Sequence, residues 1–187
     1  MKTIIVLGIP GCGKTSLIEL ALKRLKNYEI VTYGTLMFQI LKEKKIVKTR
    51  DEMRKLSNSI QTSVQKEAAQ KIVDLAKNKN IIVDTHCSIK TPKGYFIGLP
   101  EHILKKINPD HIILVESDSE EIFERRMKDS TRMRDNDSID KIQLHQDINR
   151  SLALSFCTLA NAVFSIVENK TGKLMDGSRE LAKIIEM

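Results

Sequence analysis

The first sixteen residues restrict this chain more than any other stretch. Met1 to Leu7 is a short apolar run rich in β-branched residues, and Gly8-Ile9-Pro10-Gly11-Cys12-Gly13-Lys14-Thr15 follows it directly, matching G-x-x-x-x-G-K-[ST] at every fixed position. Glycines at 8, 11 and 13 let the backbone turn its N–H groups inward around an anion with no Cβ in the way. Apolar residues then recur at helical spacing, at Leu17, Ile18, Ala21, Leu22 and Leu25. A strand that passes through such a turn into a helix is a phosphate-binding loop. Residues 8 to 16, Ser16 included, are expected to line the phosphates. Lys14 would reach the β- and γ-phosphates as a point charge, the Thr15 hydroxyl would sit on Mg²⁺, and the helix adds the positive end of its dipole.

Composition sets the bounds around that motif. A chain of 187 residues with 41% apolar side chains suits one domain with a single core. No run approaches the roughly 20 apolar residues of a membrane span, and residues 1–7 lack the basic start and cleavage site of a signal peptide. A cytoplasmic protein without membrane contact is therefore expected. Cys12, Cys87 and Cys157 are odd in number and unrelated in spacing, so they are read as reduced thiols rather than a disulfide framework or a zinc site. The net charge of +7 calls for an anionic partner, and with 4% aromatic residues there are few platforms for stacking bases. A nucleotide is the simpler partner, and no nucleic acid is expected.

Strand-like runs recur at Glu29–Tyr33, Ile81–Asp84, His111–Glu116 and Ala162–Glu168, each followed or preceded by helical pattern. That alternation predicts a three-layer α/β/α sandwich with a five-stranded parallel sheet of the P-loop type. The runs at 81–84 and 112–115 are almost wholly apolar, as in strands covered on both faces, and are expected at the centre. Ligands in such sheets collect at the carboxyl ends of strands, which brings Gly8 onward, Gly34–Thr35, Asp84–His86 and Glu116–Asp118 near one another. Between Gly34 and Asn80 two helices are expected, Thr35–Lys45 and a second with its stripe at Ile60, Val64, Ala68, Ile72 and Ala76. Ser117-x-x-Glu120 reads as a capping box, and a further helix is expected from Ser138 to Asn161. The apolar stretch from Leu152 to Ala160 on that helix points to deep burial or to contact with another subunit.

Several charged residues outside the loop carry chemistry. Asp84, at the end of a buried strand, is placed to complete a Mg²⁺ site through bound water. His86 has no second histidine at ligand spacing, so a hydrogen-bonding role is read for it. Arg125, Arg126, Lys128, Arg132 and Arg134 form a cluster that cannot pack as core, and guanidinium groups on such a loop would neutralise a transferring phosphate and exclude water. Arg150, on the next helix, is available to the same cleft. Arg50, Arg54 and Lys90 are candidates for a second anion, the acceptor's phosphate. Cys12 is read as contributing only its backbone.

These residues are familiar as a set. Gly8-x-Pro10-Gly11-x-Gly13-Lys14-Thr15, Arg50-Asp51-x-Met53-Arg54-Lys55-Leu56, Asp84-Thr85-His86 with Lys90-Thr91-Pro92-x-Gly94-Tyr95-x-x-Gly98-Leu99-Pro100, and Thr131-Arg132-x-Arg134 are spread over most of the chain, which resembles the archaeal type of adenylate kinase. The resemblance implies a nucleoside monophosphate kinase fold with a helical monophosphate-binding region at about 35–75 and a short lid at about 126–137. It implies reversible transfer from MgATP to AMP giving two ADP, and a trimeric assembly. By similarity, Lys14 and the lid arginines would handle the transferring phosphate, Arg54 and Lys90 the AMP phosphate, and Asp84 the metal. Phe38 and Gln39 stand where bacterial adenylate kinases tend to have an arginine.

Other readings of the same residues are a kinase for a different acceptor, such as UMP, CMP or a small alcohol, and a nucleotide switch or nucleic-acid-associated ATPase. A guanine switch is disfavoured because Asn78-Lys79-Asn80 and Asn169-Lys170-Thr171 both fail Asn-Lys-x-Asp at the last position.

Overall fold

The computed structural model describes residues 1–91, 93–128 and 137–187, with the side chains of Asp51 and Arg54 outside that description. In chain order the elements are β1 (Thr3–Leu7), α1 (Lys14–Leu22), β2 (Tyr28–Thr32), α2 (Tyr33–Glu43), α3 (Arg50–Arg54), α4 (Asn58–Ala76), β3 (Asn80–Asp84), β4 (Ser88–Thr91), β5 (Gly94–Ile97), α5 (Glu101–Ile107), β6 (His111–Glu116), α6 (Ser119–Lys128), α7 (Ile139–Ala160), β7 (Val163–Glu168) and α8 (Leu174–Glu186).

Five of the strands form one parallel sheet in the order β2-β3-β1-β6-β7. Side chains alternate across it with the period of two that a strand imposes. Ile5, Leu7, Ile81, Val83, Ile112 and Leu114 face a layer built from α2, α4, α5 and α7. Ile4, Val6, Ile82, Ile113 and Val115 face α1 and α8. Both faces are thus dry, and three layers result. The middle position belongs to β1, with β3 and β6 on either side of it. A run that is apolar at every position announces two covered faces, and nothing in it says which of three such strands is central.

Local chemistry sets the boundaries. The Thr49 hydroxyl accepts the Glu52 N–H at 3.3 Å and starts α3. Asn108 and Asn161 close α5 and α7 in left-handed conformation, at φ 48° and 53°, with their N–H groups on Leu104 and Cys157 carbonyls. The expected capping box does not form. The carbonyl of Asp118 takes the first turn of α6 through the Ile122 N–H (3.0 Å), while the Ser117 hydroxyl lies 2.7 Å from the Asn169 carbonyl and 2.8 Å from the Glu121 carboxylate. Ser117 is drawn to the neighbouring strand end and to the Glu121 side chain rather than to a backbone N–H of α6.

The antiparallel hairpin β4–β5, which pairs Lys90 with Tyr95, has no counterpart among the expected strands. It is a two-stranded addition between β3 and α5, off the main sheet. In α4, Val64, Ala68 and Ile72 are buried as the stripe requires, whereas Ile60 at its start is exposed. Among the described residues no helix is long and apolar enough to cross a membrane.

Because Ile113 is fully buried between β1, β7 and the α1–α8 layer, Ile113→Ala is expected to cost about 2–5 kcal/mol. Urea unfolding checks this: the midpoint should fall while the slope stays that of the parent.

Candidate active site

β1 ends at Leu7, and the backbone turns through residues 8–13 before α1 begins at Lys14. Gly11 and Gly13 hold φ values of 95° and 82°, a conformation that side-chain-bearing residues rarely adopt. A Cβ on Gly13 would also lie 2.1 Å from the Asn169 amide nitrogen. The loop therefore has a fixed course into the first turn of α1, where Thr15 and Ser16 are exposed and Lys14 is buried.

A loop that aims N–H groups inward turns its carbonyls outward, and each of those needs a donor. The ring Nδ1 of His86 donates to the Gly8 carbonyl at 2.9 Å, which fixes the proton on that nitrogen. The Pro10 carbonyl accepts from Arg126 Nε at 2.9 Å. The Cys12 carbonyl accepts from Asn169 Nδ2 at 2.8 Å and from an Arg125 guanidinium nitrogen at 3.3 Å. Within the loop, the Ile9 carbonyl takes the Cys12 N–H and that of Gly13 takes the Leu17 N–H. The Cys12 side chain is itself fully buried in the α1-side core, and burial pushes its thiol up. Its side chain packs in the core while its carbonyl is held from outside, so the side chain contributes packing as well.

At the neighbouring strand end the Lys14 ammonium is ion-paired with Asp84. Burial lowers Lys14 to about 8, so it remains mostly charged at neutral pH. Asp84 is buried too, and its Oδ1 meets the ammonium without any hydrogen bond of ordinary geometry. A buried carboxylate at a strand end supplies the hard oxygen chemistry that suits a divalent cation.

A second group of charges lies beside the first. Asp137, buried just ahead of α7, pairs with Lys90 on β4 and with Arg126 on α6, the latter at 3.2 Å. Arg126 thus joins this group to the Pro10 carbonyl. Arg125 is held by Glu121 (2.8 Å), the Asn169 carbonyl (2.9 Å) and the Thr171 hydroxyl (2.9 Å) as well as by Cys12. Arg150 grips the Glu116 carboxylate, at the end of β6, with two nitrogens at 3.1 and 2.5 Å. Arg50 donates to the Thr35 hydroxyl at 2.7 Å and stacks over Phe38, 5.6 Å from the ring centroid. Gly34 sits in the first turn of α2, where an added Cβ would meet open space. Arg132 and Arg134 lie outside the described residues, as does the side chain of Arg54.

Asn169, Asp137 and Glu121 were not singled out by sequence reasoning, and neither was a buried polar network behind Lys90. Ser88, His145 and Asn149 there are 0%, 3% and 1% exposed. The one legible hint was position: Asn169 follows directly on β7, as Asp84 closes β3.

His145 is held at about 4 by burial, helped by the cations Arg126 and Lys90, against the Ser88 backbone and the Asp137 carboxylate. An unfolded chain takes up this proton near pH 6.5 and the folded one only near 4. Stability is therefore lost as pH falls through that window, by up to about 3 kcal/mol for a shift of this size. His145→Gln should flatten the slope of folding stability between pH 6.5 and 4, as urea titrations at several pH values would record.

With that geometry in hand, relatives are informative. The AAA domain family model matches residues 7–143. The chain is 45% identical over 186 residues to the adenylate kinase of Methanothermobacter thermautotrophicus, covering 100% of both chains. It is 42% identical over 186 residues to the adenylate kinase of Pyrococcus horikoshii, covering 98% of this chain and 95% of the other. Among solved structures, a shikimate kinase from Acinetobacter baumannii in complex with shikimate matches with a TM-score of 0.59 at 15% identity, covering 100% of this chain and 93% of that one. A shikimate kinase from Bacteroides thetaiotaomicron matches at 0.57 and 11%, covering 100% and 99%. At such identities the structural likeness speaks for the fold alone. End-to-end identity above 40%, on a sheet whose central strand leads into a complete phosphate loop, places the chain in the adenylate kinase family.

Proposed function

We propose that the chain transfers the terminal phosphoryl group of ATP to AMP, reversibly, giving two ADP. The observation that carries this reading is the pairing of two cationic groups at one end of the sheet. Lys14 stands over the loop, Lys90 and Arg126 converge through Asp137, and Arg126 bridges the two groups by its bond to Pro10. Two neighbouring cationic groups joined in this way suit two nucleotides meeting head to head.

No covalent intermediate is needed. A phosphate oxygen of AMP is already a nucleophile, so the protein supplies alignment and charge. In this reading the loop of residues 8–16, through its inward-facing N–H groups, and the Lys14 ammonium bind the β- and γ-phosphates of ATP, and Arg54 and Lys90 hold the AMP phosphate, with Arg50 and Gly34 beside it. Arg125, Arg132, Arg134 and Arg150 add positive charge around the transferring group. The pairing of Arg125 and Arg150 with Glu121 and Glu116 orients their guanidinium planes. His86 acts by securing the Gly8 carbonyl. Thr15 and, through water, Asp84 would hold Mg²⁺, which when bound neutralises charge on the ATP phosphates.

We further assign residues of about 35–75 to a monophosphate-binding region, formed by α2, α3 and α4, and about 126–137 to a short lid. The first supporting feature is that three helices lie between β2 and β3 where one would make the crossover. A homotrimer is supported by α7 and the start of β7: Ala153, Phe156 and Cys157 pack inward, while Leu154 and Val163 are 50% and 61% exposed. All three cysteines are free and buried, which suits a reducing cytoplasm.

Lys14→Met should lower turnover about 10²–10³-fold or more while the chain still folds, as circular dichroism would show. A coupled assay at fixed ATP with AMP, UMP and CMP varied in turn measures it. AMP should be the preferred acceptor. Near-normal ADP formation by the variant, or equal use of all three acceptors, would overturn the reading.

A further inference from the structure

The hairpin that carries Lys90 is too small to hold its own shape. Two strands of four residues are marginal by themselves in water, and the side chains of Ile89 and Phe96 on its far face are exposed. Lysine is moreover a point charge on a four-carbon stem, with no fork to fix its direction. Where Lys90 places its charge therefore depends on what anchors the root of β4.

That anchor is α7. Alternation along β4 puts Ser88 and Lys90 on one face. Asn149 takes hold of Ser88 in both directions: its Oδ1 accepts the Ser88 N–H at 3.2 Å, and its Nδ2 donates to the Ser88 hydroxyl at 3.1 Å and to the His145 carbonyl at 2.6 Å. The Ser88 hydroxyl, already an acceptor from Asn149, also shares a hydrogen bond with His145 Nε2 at 3.0 Å. Cys87 adds a thiol donor to the Asn149 carbonyl at 3.5 Å. From the other strand Tyr95, the cross-strand partner of Lys90, lies against the His145 ring with centroids 4.9 Å apart. Asp137, two residues ahead of the same helix, receives the Lys90 ammonium. One helix thus holds the root, the neighbour and the tip of this lysine.

We propose that His145 and Asn149 are positioning residues for Lys90, and that through them α7 fixes where the phosphate of the acceptor nucleotide is bound. This deepens the reading of Lys90 as a partner of that phosphate and rests on it. The loop that binds ATP hangs from β1 and is secured by His86, Arg125, Arg126 and Asn169. Loss of the His145 contact therefore acts on one substrate and spares the other.

The experiment compares Lys90→Met, His145→Leu, His145→Gln and Ser88→Ala with the parent, varying AMP at saturating ATP and ATP at saturating AMP. His145→Leu should raise KM for AMP about tenfold, as a displaced binding group does, with KM for ATP within about twofold. His145→Gln, whose side-chain amide can still hydrogen-bond the Ser88 hydroxyl, should restore KM for AMP to within about threefold of the parent. If His145→Leu fails to fold, Ser88→Ala decides: it deletes the hydroxyl and keeps the backbone bond to Asn149, and should raise KM for AMP about threefold without moving that for ATP. A network that is only structural would lower the unfolding temperature and leave both KM values alone, or raise them together; either result overturns the proposal. If Lys90→Met itself leaves KM for AMP unchanged, the reading of Lys90 falls and this inference with it. If Lys90→Met raises it while the His145 and Ser88 variants do not, the inference alone is wrong.

Discussion

The constraint on which the rest of the site depends is the outward turn of the phosphate-loop carbonyls. Amides can converge on an anion only if the peptide planes are held with their oxygens pointing away, and an unpaired buried carbonyl would cost about as much as a lost hydrogen bond. His86, Arg126, Asn169 and Arg125 supply the donors, from the end of β3, from α6 and from the end of β7. The loop is rigid because three other elements converge on its back. The same contacts register those elements against it, so the strand ends, the first turn of α1 and α6 form one unit.

A second theme is that the cations here come with carboxylates. Lys14 faces Asp84, Lys90 and Arg126 share Asp137, and Arg150 is clamped to Glu116. Buried or half-buried positive charge is tolerated only when paired, and pairing also restricts the rotamers of long side chains. The net effect is a set of cations whose individual members have defined directions. Such preorganised charge is what an in-line phosphoryl transfer draws on, since a binding group that must first find its place contributes little at the moment of reaction.

Much of this architecture was legible beforehand. The five parallel strands lie within a residue or so of the runs expected for them, because strands covered on both faces must be apolar at nearly every position and α/β crossovers separate them by helical pattern. The phosphate loop and Asp84 were legible because their chemistry is written in consecutive residues or at a strand end. What escaped was short, polar or shared. The hairpin β4–β5 has four residues per strand with polar and apolar positions mixed, too little for periodicity to speak. The capping box at Ser117 had the right letters, yet its hydroxyl found Asn169 and Glu121 closer at hand. Arg150 could be placed on α7, but not seen to bind Glu116.

The sequence by itself determined the layered parallel fold, the strand that leads into the loop, and the phosphate-loop motif ahead of the first helix. All of these follow from residues adjacent in the chain or repeating with the period of one element. Only the tertiary structure decided which donors secure the loop, that Lys90 and Arg126 meet on Asp137, and that α7 holds the β4 strand through Ser88. Those contacts join positions 78 apart for Gly8 and His86, 116 for Pro10 and Arg126, 157 for Cys12 and Asn169, and 61 for Ser88 and Asn149. No local pattern encodes such pairs, since each is selected by the distances that remain once the sheet has closed and the helices have packed on its two faces.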